Sequence, residues 1–384
     1  MTAYCDNIYA YRHKIKRYKV KIKEFTVILL SLSLLVAATC EEARTDISNL
    51  EVQPLKTVYE DYFLIGNIIN PKYFSSPAHL ELLTTHFNTV TCENDMKPDH
   101  LTPREKGGAY RWQTADAMVQ KMAEHNIKVH GHTLVWHSQT HAWMTEGTPD
   151  EVRQNMINHI NTVLEHFKGK VNSWDVVNEA INDSASGSVN WKRSLRTESG
   201  WHSALGADYL ELAFRTARAA DPDVLLYYND YNLNTQSKAL AVRNMIKDIN
   251  DRYKAEGNER NLIDGVGLQG HYNFEVSVSG VRFAIEKFIE IGILIAISEL
   301  DIEDKHTYGS WGPNKNSGMN SSDMRTQARV YGNLFALFRQ YKDHITRVTM
   351  WGMDDESNWK SIGNPCLFDG SLNPKPAFFA VSIF

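Results

Sequence analysis

Two glutamates stand near the ends of otherwise apolar runs: Glu179 in "VNSWDVVNE" (171–179) and Glu299 in "ILIAISELDI" (293–302). A carboxylate set among Val, Ile and Ala is costly to bury unless it is paired or used. Two of them, distant along the chain but at matching ends of like segments, suit a reaction that needs an acid on each side of one bond. Hydrolysis of a glycosidic bond is such a reaction: one carboxyl protonates the departing oxygen, and a second attacks the sugar or activates a water. The neighbours fit the same chemistry. Glu299 and Asp301 are two apart, as are Gln269 and His271, so each pair shares one face of a strand. Asn178 directly beside Glu179 breaks that alternation if both face the site, which predicts a backbone distortion there.

Residues so scattered need a frame that gathers them. Apolar, strand-like runs recur as "FLIGNII" (63–69), "NTVTCEND" (88–95), "KVHGHTLVW" (128–136) and "VNSWDVVNE", then "VLLYYND" (224–230), "DGVGLQGHY" (264–272), "ILIAISELDI" and "RVTMWGMDD" (347–355). Between them lie stretches of 3.6-residue period such as "TADAMVQKMAEHN" and "MRTQARVYGNLFALFRQY". Eight strands alternating with helices predict an α/β fold, a (β/α)8 barrel in one catalytic domain. The runs end in polar or aromatic clusters: Glu93 and Asn94, His132 and Trp136, Asn178 and Glu179, Asn229 and Asp230, Gln269 and His271, Glu299 and Asp301, then Trp351. A barrel collects its strand C-termini at one mouth, so these clusters converge.

The chain has 384 residues, 42% of them hydrophobic, and a net charge of -5. The charge gives no footing for a nucleic-acid partner, which requires a clustered basic face. The first forty residues differ from the rest. A basic run between His13 and Lys23 precedes an apolar segment (25–38) shorter than the roughly 20 residues a membrane span needs. This reads as an export signal. Its end, "AATC", resembles a bacterial lipoprotein signal with Cys40 as the lipidated residue; simple secretion with cleavage near Ala38 is the other reading. The expected division is 1–40 signal, 41–57 linker and 58–384 catalytic domain, on a cell-surface or outer-membrane lipoprotein or a secreted protein. The lipid is then its one link to a membrane. Cys92 reads as a small core residue, and its pairing with Cys366 is open.

The stretches "ENDMKPDHL", "GHTLVWHSQ", "WDVVNEAI", "LGADYLELAF", "YYNDYN", "GVGLQGHY", "ISELDI" and "MWGMDDESNW" follow one another strand by strand. On these, from about Val58 to the C-terminus, the chain resembles the family 10 glycoside hydrolases, the retaining endo-β-1,4-xylanases. The resemblance implies endo-hydrolysis of β-1,4-xylosidic bonds in xylan and xylo-oligosaccharides by double displacement, without metal or cofactor. It makes Glu179 the acid/base and Glu299 the nucleophile, with carboxyl groups about 5–5.5 Å apart. His271 is then hydrogen-bonded to the nucleophile and oriented by Asp301, with Gln269 in support, and Asn178 binds the sugar 2-hydroxyl. Glu93, Asn94, Lys97, His132 and Gln139 match the hydroxyl-binding set on the non-reducing side. Trp136, Trp351 and Trp359 match the aromatic walls, and Tyr231 is a platform on the leaving-group side. A monomer is expected.

Rival readings exist. His130, His132, His137 and His141 have metal-ligand spacing, which would suit a zinc-dependent hydrolase but leaves the two glutamates without a task. A silent glycan-binding lipoprotein on the same frame, or action on other β-1,4-glucans, are the remaining alternatives. The Gly/Ser/Asn-rich segment 305–324 reads as a cleft-side loop that could contact substrate, and His141 stands where the family commonly has Pro.

Overall fold

The computed structural model describes residues 53–304 and 319–384. The segment read above as an export signal, with Cys40, and most of the 305–324 segment lie outside the described residues.

Among the described residues nine strands form: β1 (Leu64–Ile69), β2 (Thr89–Cys92), β3 (Lys128–Trp136), β4 (Ser173–Asn178), β5 (Leu225–Asp230), β6 (Gly265–Leu268), β7 (His271–Asn273), β8 (Leu294–Glu303) and β9 (Ile345–Met350). All pairings among them are parallel. The ring runs β6-β5-β4-β3-β2-β1-β9-β8, and pairing of β6 with β8 closes it into an eight-stranded barrel. Outside it lie α1 (Pro77–His86), α2 (Gln113–Glu124), α3 (Pro149–Phe167), α4 (Tyr209–Ala220), α5 (Gln236–Ala255), α6 (Val278–Ile289), α7 (Ser321–Gln340) and α8 (Pro376–Ser382). The helices start where the sequence supplies caps. Thr148 and Glu151 form a capping box ahead of α3, with Pro149 in its first turn. Ser76, Ser277 and Asn320 cap α1, α6 and α7 with their side-chain oxygens.

Alternation along each strand sorts two environments. On β4, Trp174 faces outward, its ring 6.0 Å from that of Phe167 on α3. Ser173 and Asp175 face inward and meet β3 in register: His130 Nδ1 is 2.7 Å from Ser173 Oγ, and His132 Nδ1 is 2.9 Å from Asp175 Oδ2. The apolar core is therefore the layer between barrel and helices, while the barrel interior is polar and leads up to the mouth. His130 Nε2 also reaches Asp175, at 3.0 Å, so two of the four histidines are committed to one buried carboxylate. Among the described residues no group of three or more His, Cys, Asp or Glu is arranged to hold a metal.

The structure departs from the sequence reading at three places. The sixth run does not form one strand over 264–272. It stops at Leu268, turns through Gly270 at φ +81°, and resumes as β7, which pairs with the upper part of β8. The last strand starts earlier, at Ile345, and ends at Met350, so Trp351 lies just past it. Leu55, placed above within the linker, is fully buried and opens a short helix, Leu55–Val58. Cys92 and Cys366 are both buried and unpaired. His141 has φ −66°, a value that Pro also takes. No helix of the described residues is long and apolar enough to cross a membrane.

Gly131, between the two inward histidines, faces the Trp174 ring so closely that a Cβ there would overlap it. Gly131→Ala should destabilise the barrel by about 1–3 kcal/mol through displacement of Trp174. Denaturant unfolding measures this, and an unchanged midpoint would refute the packing argument.

Candidate active site

The barrel mouth holds a cavity of about 670 Å³. Glu93, Asn94, Lys97, His132, Trp136 and Gln139 line it from the ends of β2 and β3. Asn178, Glu179, Tyr231, Gln269, His271, Glu299, Trp351 and Trp359 complete it from β4 onward. Asp301 lies behind His271 rather than on the wall.

The distortion expected at Glu179 is present. β4 ends at Asn178, and Glu179 itself is left-handed, with φ +57°. That conformation is uncommon for a residue with a Cβ and must be held by its surroundings. Glu179 N donates to Asn229 O at 2.8 Å, and the next two amides, Ala180 and Ile181, both donate to the Tyr228 hydroxyl at 2.9 and 3.1 Å. A register shift between Asp175 and Val177 brings Asn178 inward, and the turn at Glu179 lets the two face the cavity together. The Glu179 carboxylate accepts from Trp136 Nε1 (2.9 Å), Gln269 Nε2 (2.8 Å) and Asn178 Nδ2 (3.2 Å). All three are neutral donors.

Glu299 is held differently. Its Oε2 is 3.1 Å from His271 Nε2, and His271 Nδ1 is 2.9 Å from Asp301 Oδ2. Burial alone would push the imidazole down, but Asp301 and Glu299 outweigh it and lift His271 to about 9. The ring is thus an imidazolium donating to a carboxylate on each side. Burial would raise the Glu299 carboxyl, yet the His271 hydrogen bond and the charges around it hold it below its ordinary value. Asp301 is lowered likewise, against burial, by His271 and by Lys360, whose Nζ lies 3.5 Å from Asp301 and 2.7 Å from Glu303. Negative and positive charges therefore alternate from Glu299 through His271, Asp301 and Lys360 to Glu303.

The two carboxylates are tied by amides. Asn178 Oδ1 accepts from Gln269 Nε2 (3.2 Å), which also serves Glu179, and from Asn229 Nδ2 (3.0 Å), which also serves Glu299 at 2.6 Å. On the far wall, Lys97 Nζ donates to Asn94 and Gln139, both at 3.0 Å, and sits 5.1 Å from the Trp136 ring centre. Burial presses the Lys97 ammonium down while Glu299, Glu93 and Glu179 oppose it. Trp359 Nε1 donates to Asp301 Oδ2 at 3.0 Å, and its ring lies 4.9 Å from that of His271. Trp351 packs edge-on to His132.

Sequence reasoning noted Asn229 only as a polar strand end, although it bonds the Glu299 carboxylate directly. Its place at the end of an apolar run, like that of Asn178, is the signal the sequence holds. Lys360, Tyr228 and Arg196 were not singled out at all. Arg196 donates to the Glu179 carbonyl (3.3 Å) and to the Tyr231 hydroxyl (2.9 Å).

Because His271 is lifted from 6.5 to about 9, its contribution to stability is complete below about pH 6.5 and is lost as the pH rises through about 9. The unfolding free energy should fall across that window by up to ~3 kcal/mol on account of this group. His271→Asn should flatten the slope, and equal slopes in chemical denaturation of the two proteins would contradict the assignment.

The model of glycosyl hydrolase family 10 matches residues 54–383. Over 343 residues the chain is 37% identical to an endo-1,4-beta-xylanase A of Thermotoga maritima, covering 86% of this chain but only 31% of that longer protein. A beta-1,4-xylanase of Dictyoglomus thermophilum is 34% identical, with 93% of this chain and 98% of the relative aligned. Among solved structures, a mutant of an intracellular xylanase from Thermoanaerobacterium saccharolyticum in complex with xylotetraose superposes with a TM-score of 0.75 at 34% identity, covering 86% of this chain and 98% of that one. With its whole barrel spanned by the match, the chain belongs to glycosyl hydrolase family 10.

Proposed function

We propose that the protein is an endo-acting, retaining hydrolase of β-1,4-xylosidic bonds, with Glu299 as nucleophile and Glu179 as acid/base. The observation that carries this reading is the unlike company of the two carboxylates. Glu299 faces an imidazolium that keeps it anionic, whereas the hydrogen bonds to Glu179 come from an indole and two amides. The first suits a group that must attack, and the second a group that must gain and lose a proton. A Glu299 oxygen bonds to the anomeric carbon as the bond to the leaving sugar breaks, and Glu179 gives its proton to the departing oxygen. Water then bonds to the anomeric carbon of the resulting ester as the ester C–O bond breaks, Glu179 takes the water's proton, and Glu299 leaves as a carboxylate.

Xylan and xylo-oligosaccharides are the substrate class, supported by the xylanase relatives and the xylotetraose complex. Asn178 and the Lys97–Asn94–Gln139 cluster read hydroxyls, together with Glu93 and His132. Trp136, Trp351 and Trp359 supply flat walls for the C–H faces of the sugars. Tyr231 is the platform beneath the leaving group.

Glu299→Ala should lower turnover of every substrate by at least ~10⁴-fold. Glu179→Ala should lose ~10²–10⁴-fold on xylan but spare the first step with activated aryl xylosides, whose leaving group needs no proton. Proton NMR of the fresh product should show the β-anomer first. Equal losses for both variants on both substrates, or initial α-anomer, would overturn the roles.

We further propose that the chain is exported, on the strength of the basic run, the short apolar segment and Cys40. When the protein is expressed in a lipoprotein-processing bacterium, labelled palmitate should enter the wild type and not Cys40→Ser. Absence of label in both would leave secretion without an anchor as the surviving form.

A further inference from the structure

Lys238 sits in the first turn of α5 and is almost wholly buried. A cation there opposes the helix dipole and carries a desolvation cost, so its tertiary partners must account for it. Its Nζ is 2.9 Å from Asp230 Oδ1, 3.1 Å from Asp183 Oδ1 and 3.7 Å from the centre of the Tyr231 ring. These partners lead to two functional places. The other Asp230 oxygen accepts from the Tyr228 hydroxyl at 2.5 Å, and that hydroxyl is the acceptor for the Ala180 and Ile181 amides that follow Glu179. Asp183 accepts from the Tyr231 hydroxyl at 2.8 Å.

We propose that Lys238 is a positioning residue for the leaving-group half of the reaction, fixing both the proton donor Glu179 and the platform Tyr231 through one buried cation. This rests on the reading of Glu179 as acid/base. Without the cation, Asp230 is a buried carboxylate lacking its counter-charge and must take a proton or turn away. The Tyr228 hydroxyl then loses the acceptor that orients it, and the two amides lose the anchor that keeps Glu179 left-handed. A displacement near 1 Å of a catalytic group is enough to cost about 10²-fold in rate. The nucleophile has its own support in His271 and Asp301 and is left in place.

The test is Lys238→Met assayed beside the wild type and Glu179→Ala. On xylo-oligosaccharides Lys238→Met should lose ~10²-fold in kcat. On a dinitrophenyl xylobioside its kcat/KM should stay within about threefold, because the phenolate departs unprotonated. Added azide should raise turnover of that substrate: azide bonds to the anomeric carbon of the Glu299 ester, the ester C–O bond breaks, and β-xylobiosyl azide forms with no proton required. A purely structural lesion has no reason to produce that compound. Equal losses on both substrates, no loss on either, or no glycosyl azide from Lys238→Met would overturn the proposal. If Glu179→Ala itself yields no azide product, the acid/base reading fails instead. Should Lys238→Met not fold, Tyr228→Phe keeps the ion pair and deletes only the relaying hydroxyl. It should show the same pattern, and its absence would equally overturn the proposal.

Discussion

A carboxylate buried at the mouth of a barrel stays ionised only if positive charge is buried with it. Glu299 is 5% exposed, and the partner that makes this tenable is the His271 imidazolium. That cation needs counter-charge in turn, which Asp301 supplies, and Asp301 is balanced by Lys360 and Lys360 by Glu303. The alternation follows from backbone geometry. Residues 299, 301 and 303 lie on one face of β8, and β7 places His271 directly beside Asp301. The break at Gly270 is what makes this register available. An uninterrupted sixth strand would have kept its pairing with β8 in step from Leu268 onward; the left-handed glycine resets it.

Glu179 is built on the opposite principle. Ser173 and Asp175 face inward on β4. A register shift between Asp175 and Val177 then brings Asn178 inward as well, where strict alternation would have turned it out, and the next side chain would point into the helical layer. Left-handed geometry at Glu179 turns it back to the cavity, and its strain is offset by hydrogen bonds from the two following amides to Tyr228. The register shift brings the Asn178 amide oxygen between Gln269 and Asn229, so each carboxylate is one donor away from a shared acceptor. The relative placement of the two acids is thereby a property of three amides and one turn.

Much of this was legible in the sequence because the barrel writes its chemistry at strand ends. Period two set the shared face of Glu299 and Asp301, and the adjacency of Asn178 and Glu179 announced the distortion. Gln269 and His271 both reach the cavity, but across a strand break at Gly270 and not on one strand face. What escaped notice had no local signature. Lys238 lies in an amphipathic helix, where a lysine ordinarily marks the solvated face, and only tertiary packing makes it 1% exposed. Tyr228 reads as one more aromatic in an apolar strand, because nothing near it in sequence shows that its hydroxyl receives the two amides that follow Glu179. Lys360 follows Trp359 in a polar stretch, and its partners come from a strand more than fifty residues earlier.

On the roles proposed above, the unequal treatment of the two acids follows from what each must do. A nucleophile keeps one protonation state until it attacks, so a fixed imidazolium beside it lowers the cost of burying it and does not impede its work. An acid/base must change protonation twice in each cycle, and a cation bonded to its carboxyl would resist one of those changes by more than a pKa unit. Neutral donors around Glu179 hold its direction with no cation bonded to it, and the cation that steadies it, Lys238, acts two hydrogen bonds beyond its ion pair, through the backbone. Keeping cations off one carboxylate and against the other in this way lets one cavity hold the two proposed roles together.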